Sequence, residues 1–451
     1  MPIYSLIRVE IVTQTCLMEN EGQGVQAQGR RRAVHVAVVA LRRWAVCARC
    51  PPEGKMKSNR FSELRRHWRA AALLGVISST FSTMVSQLTA ARIGRDAAVD
   101  WMVVASIPFR DSVIDITPGW GAILGGILFH QWADFSWVIV FFVLLGRWTA
   151  DLRPWAILMI ALPWAILTSS IEWLFLVPLI PFWQPIFPLE QVYWIGLAVH
   201  LSSASMYPLV PALRDWMMGC RPSLHRRFAM TWSGLATVGL LVLGGVAFLG
   251  SQDREFPWLG NDPASDQAFL RQMSAHHRQG LIVAHIASER ATNPHLRTVA
   301  KLMAASQQGD IAIFGQWWRS WFVGKLPPPS PQEHAAMPGM LSPNELDSLA
   351  SAPQLEFDAL FVRLMTRHHQ GAIMMANQAI DQAEDPRVVL MALAIAHSQS
   401  GEIDLINGLE GMPAVKNSVL SLFRLKFMNK NPDRDLVMAP DSGDGAHSGH
   451  K

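Results

Sequence analysis

The sequence predicts an all-α protein in two parts: a multi-span membrane domain of about five helices, then an exported four-helix bundle built from a duplicated helical hairpin. Three observations predict it. Half of the residues are hydrophobic and only 16% are charged, a balance too apolar for one soluble domain. The apolarity is also concentrated, because residues 69–250 hold the long apolar runs and most of the 18 tryptophans, while 251–451 reads as a water-soluble helical segment. Finally, Met273-Ser-Ala-His276-His277 returns 92 positions later as Met365-Thr-Arg-His368-His369. Phe269, Arg271, Ala284, Ala287 and Pro294 have counterparts in Phe361, Arg363, Ala376, Ala379 and Pro386. Ser306-Gln307 and Gly309 likewise match Ser398-Gln399 and Gly401. The register holds without a gap over roughly 50 residues, with about 15 identical pairs where chance would give about three.

From the N-terminus, residues 1–55 show no helical or strand periodicity, and carry Arg30-Arg31-Arg32, Arg42-Arg43 and Pro51-Pro52. They read as a disordered arm or as a mis-assigned start, with Met56-Lys57 as the true beginning. Cys47-Ala-Arg-Cys50 has the spacing of a redox or zinc half-site, but none of the four cysteines lies in the duplicated region. That region is therefore held neither by disulfides nor by thiolate ligands.

Spans of about 20 residues, as a hydrocarbon core about 30 Å thick requires, are expected at 70–90, within 118–146, at 154–177, at 192–213 and at 229–250. Residues 91–115 read as a polar connection, and the Pro/Trp-rich 178–188 as an interfacial loop. Five spans place Lys57 to Arg69, Arg147 with Arg153, and 214–227 on one side, which the positive-inside rule makes the cytoplasm. The expected location is thus a bacterial inner membrane, with the N-terminus cytoplasmic and residues 251–451 extracytoplasmic. A separate crossing at 119–133 would make six spans and turn the C-terminal domain inward, but would put 214–227 outside. His130, Glu172 and His200 fall within or beside spans, where an ionisable group is costly and reads first as functional.

Residues 251–265 read as a linker with turn chemistry at Asn261-Asp262-Pro263. The bundle, 266–412, is expected as helices at 266–291, 294–321, 356–382 and 386–409. Pro294 and Pro386 sit in first turns, with Asn293 and Asp385 as caps. The crossover contains Pro327-Pro328-Pro329 and a short helix capped by Ser342. Residues 413–451 form a helical stretch, 413–428, then a polar tail with His447 and His450.

Within the third bundle helix His368 lies on the apolar stripe three residues after Met365, and His276 stands in the same relation to Met273. Folding the two hairpins together could join two Met-x-x-His pairs in the interior. Imidazole nitrogen with thioether sulfur favours copper, especially Cu(I), over magnesium or calcium. His277 and His369 sit at the stripe's edge as further ligands or as oriented partners. A di-iron site would need Glu-x-x-His on two helices, where this chain has methionine. Asp310 and Glu402 recur, but only one per hairpin. The competing reading makes these histidines core residues bonded to a backbone carbonyl or to Gln307 and Gln399, and the methionines core filling.

Met337-Pro-Gly-Met340, Leu341-Ser-Pro-Asn-Glu-Leu346, Glu356-Phe-Asp-Ala-Leu-Phe361 and Met365-Thr-Arg-His-His-Gln-Gly-Ala-Ile-Met-Met-Ala376 resemble the bacterial family catalogued as domain of unknown function three-hundred-five. The resemblance covers about 266–412 and implies a ferritin-like bundle, export, and copper at Met273, His276, His277, Met365, His368 and His369, with Met374 and Met375 as further ligands. The first copy departs from the pattern: it reads His276-His277-Arg278-Gln279-Gly280 and lacks the methionine pair. The membrane half is not part of the resemblance.

The expected function is a membrane-anchored, extracytoplasmic metal-binding protein for copper buffering, delivery or sensing. It is not read as an enzyme, because no nucleophile–base–orienter set is visible. Lipid and a metal ion are the expected partners, with self-association or other envelope proteins left open. Nucleic acid is excluded, since a formal charge of +4 clustered beside apolar runs makes no basic-aromatic surface. The alternative is a non-metal envelope interaction or stress module, with core histidines and the work done by the membrane helices. A transporter with a metal-handling appendage has little support, since no repeat is visible in the spans. N-terminal sequencing of native protein should begin at Met56; peptides from 1–55 would contradict that start.

Overall fold

The computed structural model describes residues 60–149, 152–179, 186–219, 223–409 and 411–423. All belong to one compact unit, Ala48–Lys451. The arm 1–55, the Cys47/Cys50 pair and the tail with His447 and His450 lie outside the described residues. The described secondary structure is helical, without a strand.

The membrane half begins with α1, Arg60–Thr89, which a short 3₁₀ turn, Ala90–Ile93, continues. Residues 91–115 are not simply a polar connection. Asp96 accepts bonds from the amides of Ala98 and Val99 and so starts α2, Ala97–Phe109. Val99, Trp101, Met102, Val103, Ala105 and Ile107 of α2 are buried, so an apolar face hides among the charged residues that suggested a loop. Next come α3, Trp120–Thr149, and α4, Pro154–Ile171. Helix α4 runs on through a π-type turn, Glu172–Leu176, to Leu179.

A short α5, Ile186–Glu190, precedes α6, Tyr193–Ala204. The expected span at 192–213 is here a broken one. Helix α6 gives way to a 3₁₀ turn, Tyr207–Leu209, and then to α7, Val210–Met217. Pro208 and Pro211 explain the break, since each removes an amide donor and crowds the preceding turn. Helix α8, Arg226–Ser251, completes this half. Four helices are therefore long and apolar enough to cross a membrane: Trp68–Ile93, Trp120–Gly146, Pro154–Leu179 and Arg226–Ser251. The broken segment nevertheless packs along α1 and α4. Met230, Leu235, Leu241 and Phe248 of α8 are exposed, as side chains facing lipid would be.

The linker does not hang free. Arg92 pairs with Glu255 at 2.6 Å, and Asp266 accepts from Trp258 Nε1 and from the amides of Glu384 and Asp385 at 2.6–2.9 Å. Arg387 donates to the carbonyls of Phe256 and Pro257. The bundle follows as α9, Ala264–Arg290, and α10, Pro294–Trp321. In the crossover, α11, Pro331–Ala336, and α12, Pro343–Ser351, each begin with a capping box, Ser330 with Glu333 and Ser342 with Glu345. Helices α13, Gln354–Gln382, and α14, Pro386–Ile406, form the second hairpin. Asn293 and Asp385 cap α10 and α14 as expected. Helix α9 packs on α10 and on α13, and α14 packs on α13 and on α10, which closes the four-helix ring. The last helix among the described residues is α15, Gly411–Ser421, and 424–428 of the expected stretch lie outside the described residues.

The duplication also explains how the halves meet. Gly309 and Gly401 hold equivalent places in the two copies, and both face the membrane half. A methyl group on Gly309 would lie 2.7 Å from Asp96 Cβ, and one on Gly401 would lie 2.6 Å from the Leu189 carbonyl oxygen. His397 Nε2 donates to the Pro188 carbonyl at 3.1 Å beside this contact. Gly401→Ala should thus cost about 1–3 kcal/mol as an overpacking change against backbone. Thermal unfolding of the full chain should show a lower midpoint, with faster amide exchange at Ile186–Glu190. An unchanged midpoint and unchanged exchange would mean that this seam is not close-packed.

Candidate metal centre

Where α9 crosses α13, the amphipathic pattern turns the two copies' histidines inward. His276, His277, His368 and His369 are all fully buried. His276 and His368, equivalent in the duplication, meet with ring centroids 3.9 Å apart and planes inclined by 36°. His276 Nε2 lies 3.1 Å from the carbonyl oxygen of Pro338 in the crossover. A carbonyl can only accept, so the proton sits on Nε2, and Nδ1, which has no partner, carries the lone pair. Neither ring nitrogen of His368 has a partner in good hydrogen-bond geometry, although the ring lies against the His276 backbone.

The second histidine of each copy is held by an acid from the partner helix of its own hairpin. His277 Nε2 is 3.1 Å from Asp310 Oδ2, and His369 Nε2 is 2.7 Å from Glu402 Oε2, the latter off the line of a ring N–H bond. The Nδ1 atoms of both are unpartnered. The Asp310 bond fixes the His277 tautomer and orients its free nitrogen, whereas Glu402 is a close neighbour of His369 without a hydrogen bond to it. The sequence showed that Asp310 and Glu402 recur, and the structure shows what they contact.

Burial decides the protonation of these rings. It lowers His276 to about 3, helped by the neighbouring His277 and His369 and opposed by the Pro338 carbonyl. Burial alone brings His369 to about 3, and burial with the other three imidazoles pushes His368 well below its ordinary value. These three rings are therefore neutral near pH 7, the state in which imidazole nitrogen is a ligand.

The methionines separate. Met273 lies in an apolar cluster with Phe269, Phe314, Trp317 and Met375, whereas Met365 lies in the other cluster with Phe361, Leu364 and Val283. Each is one helical turn from its histidine, on opposite sides of the imidazole pair, so the histidines come together and the two thioethers do not. Met375 is buried beside Met273, while Met374 is 39% exposed. Gln307 and Gln399 do not bond these imidazoles. Both side-chain polar atoms of Gln307 and Oε1 of Gln399 are buried without a partner. Gly280 makes room for the crowding here, since a methyl there would lie 2.3 Å from Gln307 Oε1 and 2.9 Å from His368 Cε1. Among the described residues no three or more His, Cys, Asp or Glu side chains converge as a metal cage. Imidazole nitrogens are among the buried atoms left with a free lone pair.

Sequence reasoning missed two contributors from the membrane half. Glu190 at the end of α5 is buried facing Glu402, and burial together with that acid pushes it well above the carboxylate range, with Arg95 acting against the rise. Burial and Asp310 raise Glu402 in the same way. Arg95 pairs with Asp100 at 2.6 Å, and Gln191 donates to the same oxygen at 2.7 Å. Glu190 stands in a proline-rich loop, where no periodicity marks a buried acid.

These groups set an acid response with opposing parts. Below about pH 6.5 the unfolded chain takes up protons that the buried imidazoles refuse, which costs about 1.4 kcal/mol per pH unit for each ring. The raised carboxyls act oppositely, because above about pH 4.3 the folded state keeps protons that the unfolded chain releases. With three rings against two acids, stability of the full chain should fall between about pH 6.5 and pH 5. Glu190→Gln removes one opposing group and should steepen that fall by about 1.4 kcal/mol per pH unit in chemical denaturation. A shallower fall in that variant would contradict the arrangement.

Comparison with known proteins agrees with the C-terminal part. The profile of the family described as "Domain of unknown function (DUF305)" matches residues 266–410. No curated protein matches the chain. A solved DUF305 fragment from Deinococcus radiodurans is 30% identical and is covered over 97% of its length by 34% of this chain, with a TM-score of 0.30. A putative secreted DUF305 protein from Streptomyces coelicolor is 26% identical over 88% of its length and 32% of this chain, with a TM-score of 0.30. A structure described as CopM in the Cu(I)-bound form is 31% identical over 92% of its length and 32% of this chain, with a TM-score of 0.28. Residues 266–410 are a DUF305 domain, and through that domain the chain belongs to the DUF305 family.

Proposed function

We propose that this protein is a membrane-anchored Cu(I)-binding protein whose ferritin-like bundle faces the extracytoplasmic side and serves copper buffering, delivery or sensing rather than catalysis. One observation carries the reading. His276 and His368 face each other in the buried core, with His276 Nδ1 and the His368 nitrogens lacking a well-formed bond, where a buried polar atom without a bond costs about 1–3 kcal/mol. A soft metal ion relieves that cost, and imidazole with thioether is a donor set that favours Cu(I). His276 and His368 are the primary ligands in this reading, and Met273 and Met365 stand one turn away on either side. His277 and His369, held by Asp310 and Glu402, are further donors, with Met375 beside Met273. CopM, 31% identical to this chain, is described in a Cu(I)-bound form, which supports the choice of metal. The core-histidine alternative keeps one of its partners, the Pro338 carbonyl at His276, but neither Gln307 nor Gln399 bonds the rings.

The packing also supports five crossings. The segments touching the bundle are 90–109, 177–190 and the end of α8, which follow the first, third and fifth crossings when the broken α6–α7 segment counts as the fourth. Arg69, Arg153, Arg214, Arg226 and Arg227 then gather at the opposite ends of the spans, the cytoplasmic side by the positive-inside rule.

The test is an anaerobic Cu(I) titration of the full chain against a competing chelator. About one tightly held copper per chain is expected, with affinity at least tenfold weaker in His276→Ala/His368→Ala, a loss of about 1.4 kcal/mol. Because Cu(I) binds only the folded site, it should also raise the wild-type melting midpoint. Unchanged stoichiometry and affinity in the double variant would overturn the assignment.

A further inference from the structure

A second set of ionisable side chains lies inside the membrane half, apart from the bundle histidines. His130 and Asp134 project from α3, Glu172 from the π-type turn that ends α4, and His200 from α6. Ser82 on α1 joins them: its hydroxyl donates to Asp134 Oδ2 at 2.5 Å and lies 3.2 Å from His130 Nε2. Trp137 Nε1 donates to Glu172 Oε2 at 2.6 Å, and the same oxygen lies 3.6 Å from His200 Nε2. Tyr207, in the turn after α6, faces Asp134, and Asp134 is also near His200. At about 1.5 Å per residue, Glu172 and His200 lie roughly 10 Å, and Asp134 roughly 20 Å, below the bundle-facing ends of their helices.

We propose that His130, Asp134, Glu172 and His200 form a proton-binding site within the membrane half, reached from the bundle-facing side. The partners around the two carboxylates are imidazoles, hydroxyls and indoles. Among the described residues none of these partners is a fixed cation. Fully deprotonated, the set holds two negative charges, a costly state at this depth. Two protons neutralise it, and each can rest on an imidazole or on a carboxyl.

The first subset has the connectivity for transfer. A protonated His130 donates from Nε2 to Ser82 Oγ while the Ser82 hydroxyl proton passes to Asp134 Oδ2. Imidazolium and carboxylate become imidazole and carboxylic acid, with no change in total charge. His200 and Glu172 are the second imidazole–carboxylate pair. Glu172 opens a π-type turn, a local distortion frequent at functional sites.

The proposed access from the bundle side fits the packing on the other side. Seven residues beyond Asp134 on the same face of α3, fully buried Phe141 packs edge-on against Trp164 and Tyr207, at 5.5 and 5.1 Å. That aromatic layer closes the path away from the bundle. Toward the bundle, the His130 ring is 5.6 Å from Trp101 of α2, whose Nε1 donates to Gln87 Oε1 at 2.7 Å.

Infrared difference spectra of the full chain in lipid vesicles, titrated between about pH 8 and pH 5, test the proposal. A protonated-carboxyl stretching band should appear on acidification and shift in heavy water. It should be lost in Asp134→Asn, and persist in Glu172→Gln, where the proton of the pair rests on His200, and in Asp347→Asn on the bundle surface. His130→Gln or His200→Gln should move its midpoint by about one pH unit or more. Asp134→Glu should retain the band at an altered frequency, which decides the matter if the asparagine variant does not fold. A band absent from wild type, or unchanged in Asp134→Asn and in Asp134→Glu, would overturn the proposal. Copper binding by the bundle is a separate measurement and does not depend on this outcome.

Discussion

The face-to-face contact of His276 and His368 at the crossing of α9 and α13 is the constraint around which the bundle is arranged. Two polar rings are placed at the centre of the bundle interior, with neither ring nitrogen of His368 in a well-formed hydrogen bond. Interiors rarely tolerate this, since buried polar groups are almost always hydrogen-bonded. The surroundings hold the pair in place. The crossover supplies the Pro338 carbonyl that fixes the His276 tautomer, capping boxes at Ser330 and Ser342 start the flanking crossover helices, and Asp310 holds the adjacent His277. Two copies of one hairpin, related by the duplication, deliver one ring each.

The duplication is used twice. Its histidines face the bundle centre, and its Ser-Gln-x-Gly segments face the membrane half, where Gly309 and Gly401 let Asp96 and Leu189 approach closely. Helix α2 spans the two functions. Its cap, Asp96, sits against Gly309, and its Trp101 lies beside His130 in the membrane half. Glu190 meets Glu402 at the other copy's seam. A rearrangement at the His–carboxylate pairs would therefore bear on elements that continue into the membrane half.

Much of this was legible in the sequence, for definite reasons. The repeat is ungapped, so one comparison showed the hairpin, both histidine pairs and the acids that follow them. Proline at the first helical position after Asn293 and Asp385, and Ser-Pro-Asn-Glu at 342–345, are local signals with a local cause, and those helices begin where expected. What was not legible depends on tertiary contacts. Helix α2 is hidden because Arg92, Arg95 and Asp96 are satisfied by Glu255, Asp100 and the α2 amides rather than by solvent. The fourth span read as continuous because hydropathy averages over Pro208 and Pro211. Glu190 gives no signal, since its partner lies more than two hundred residues away. The separation of Met273 from Met365 follows from antiparallel crossing: where the histidines coincide, residues one turn before each point in opposite directions along the crossing.

X-ray absorption at the copper edge of the Cu(I)-loaded full chain tests the central claim most directly. Imidazole scattering from two rings, with a thioether sulfur in the same coordination shell and loss of the imidazole signal in His276→Ala/His368→Ala, is the result this account requires. Copper bound without imidazole, or with a spectrum unchanged by that double substitution, would contradict it and leave the buried pair without a metal.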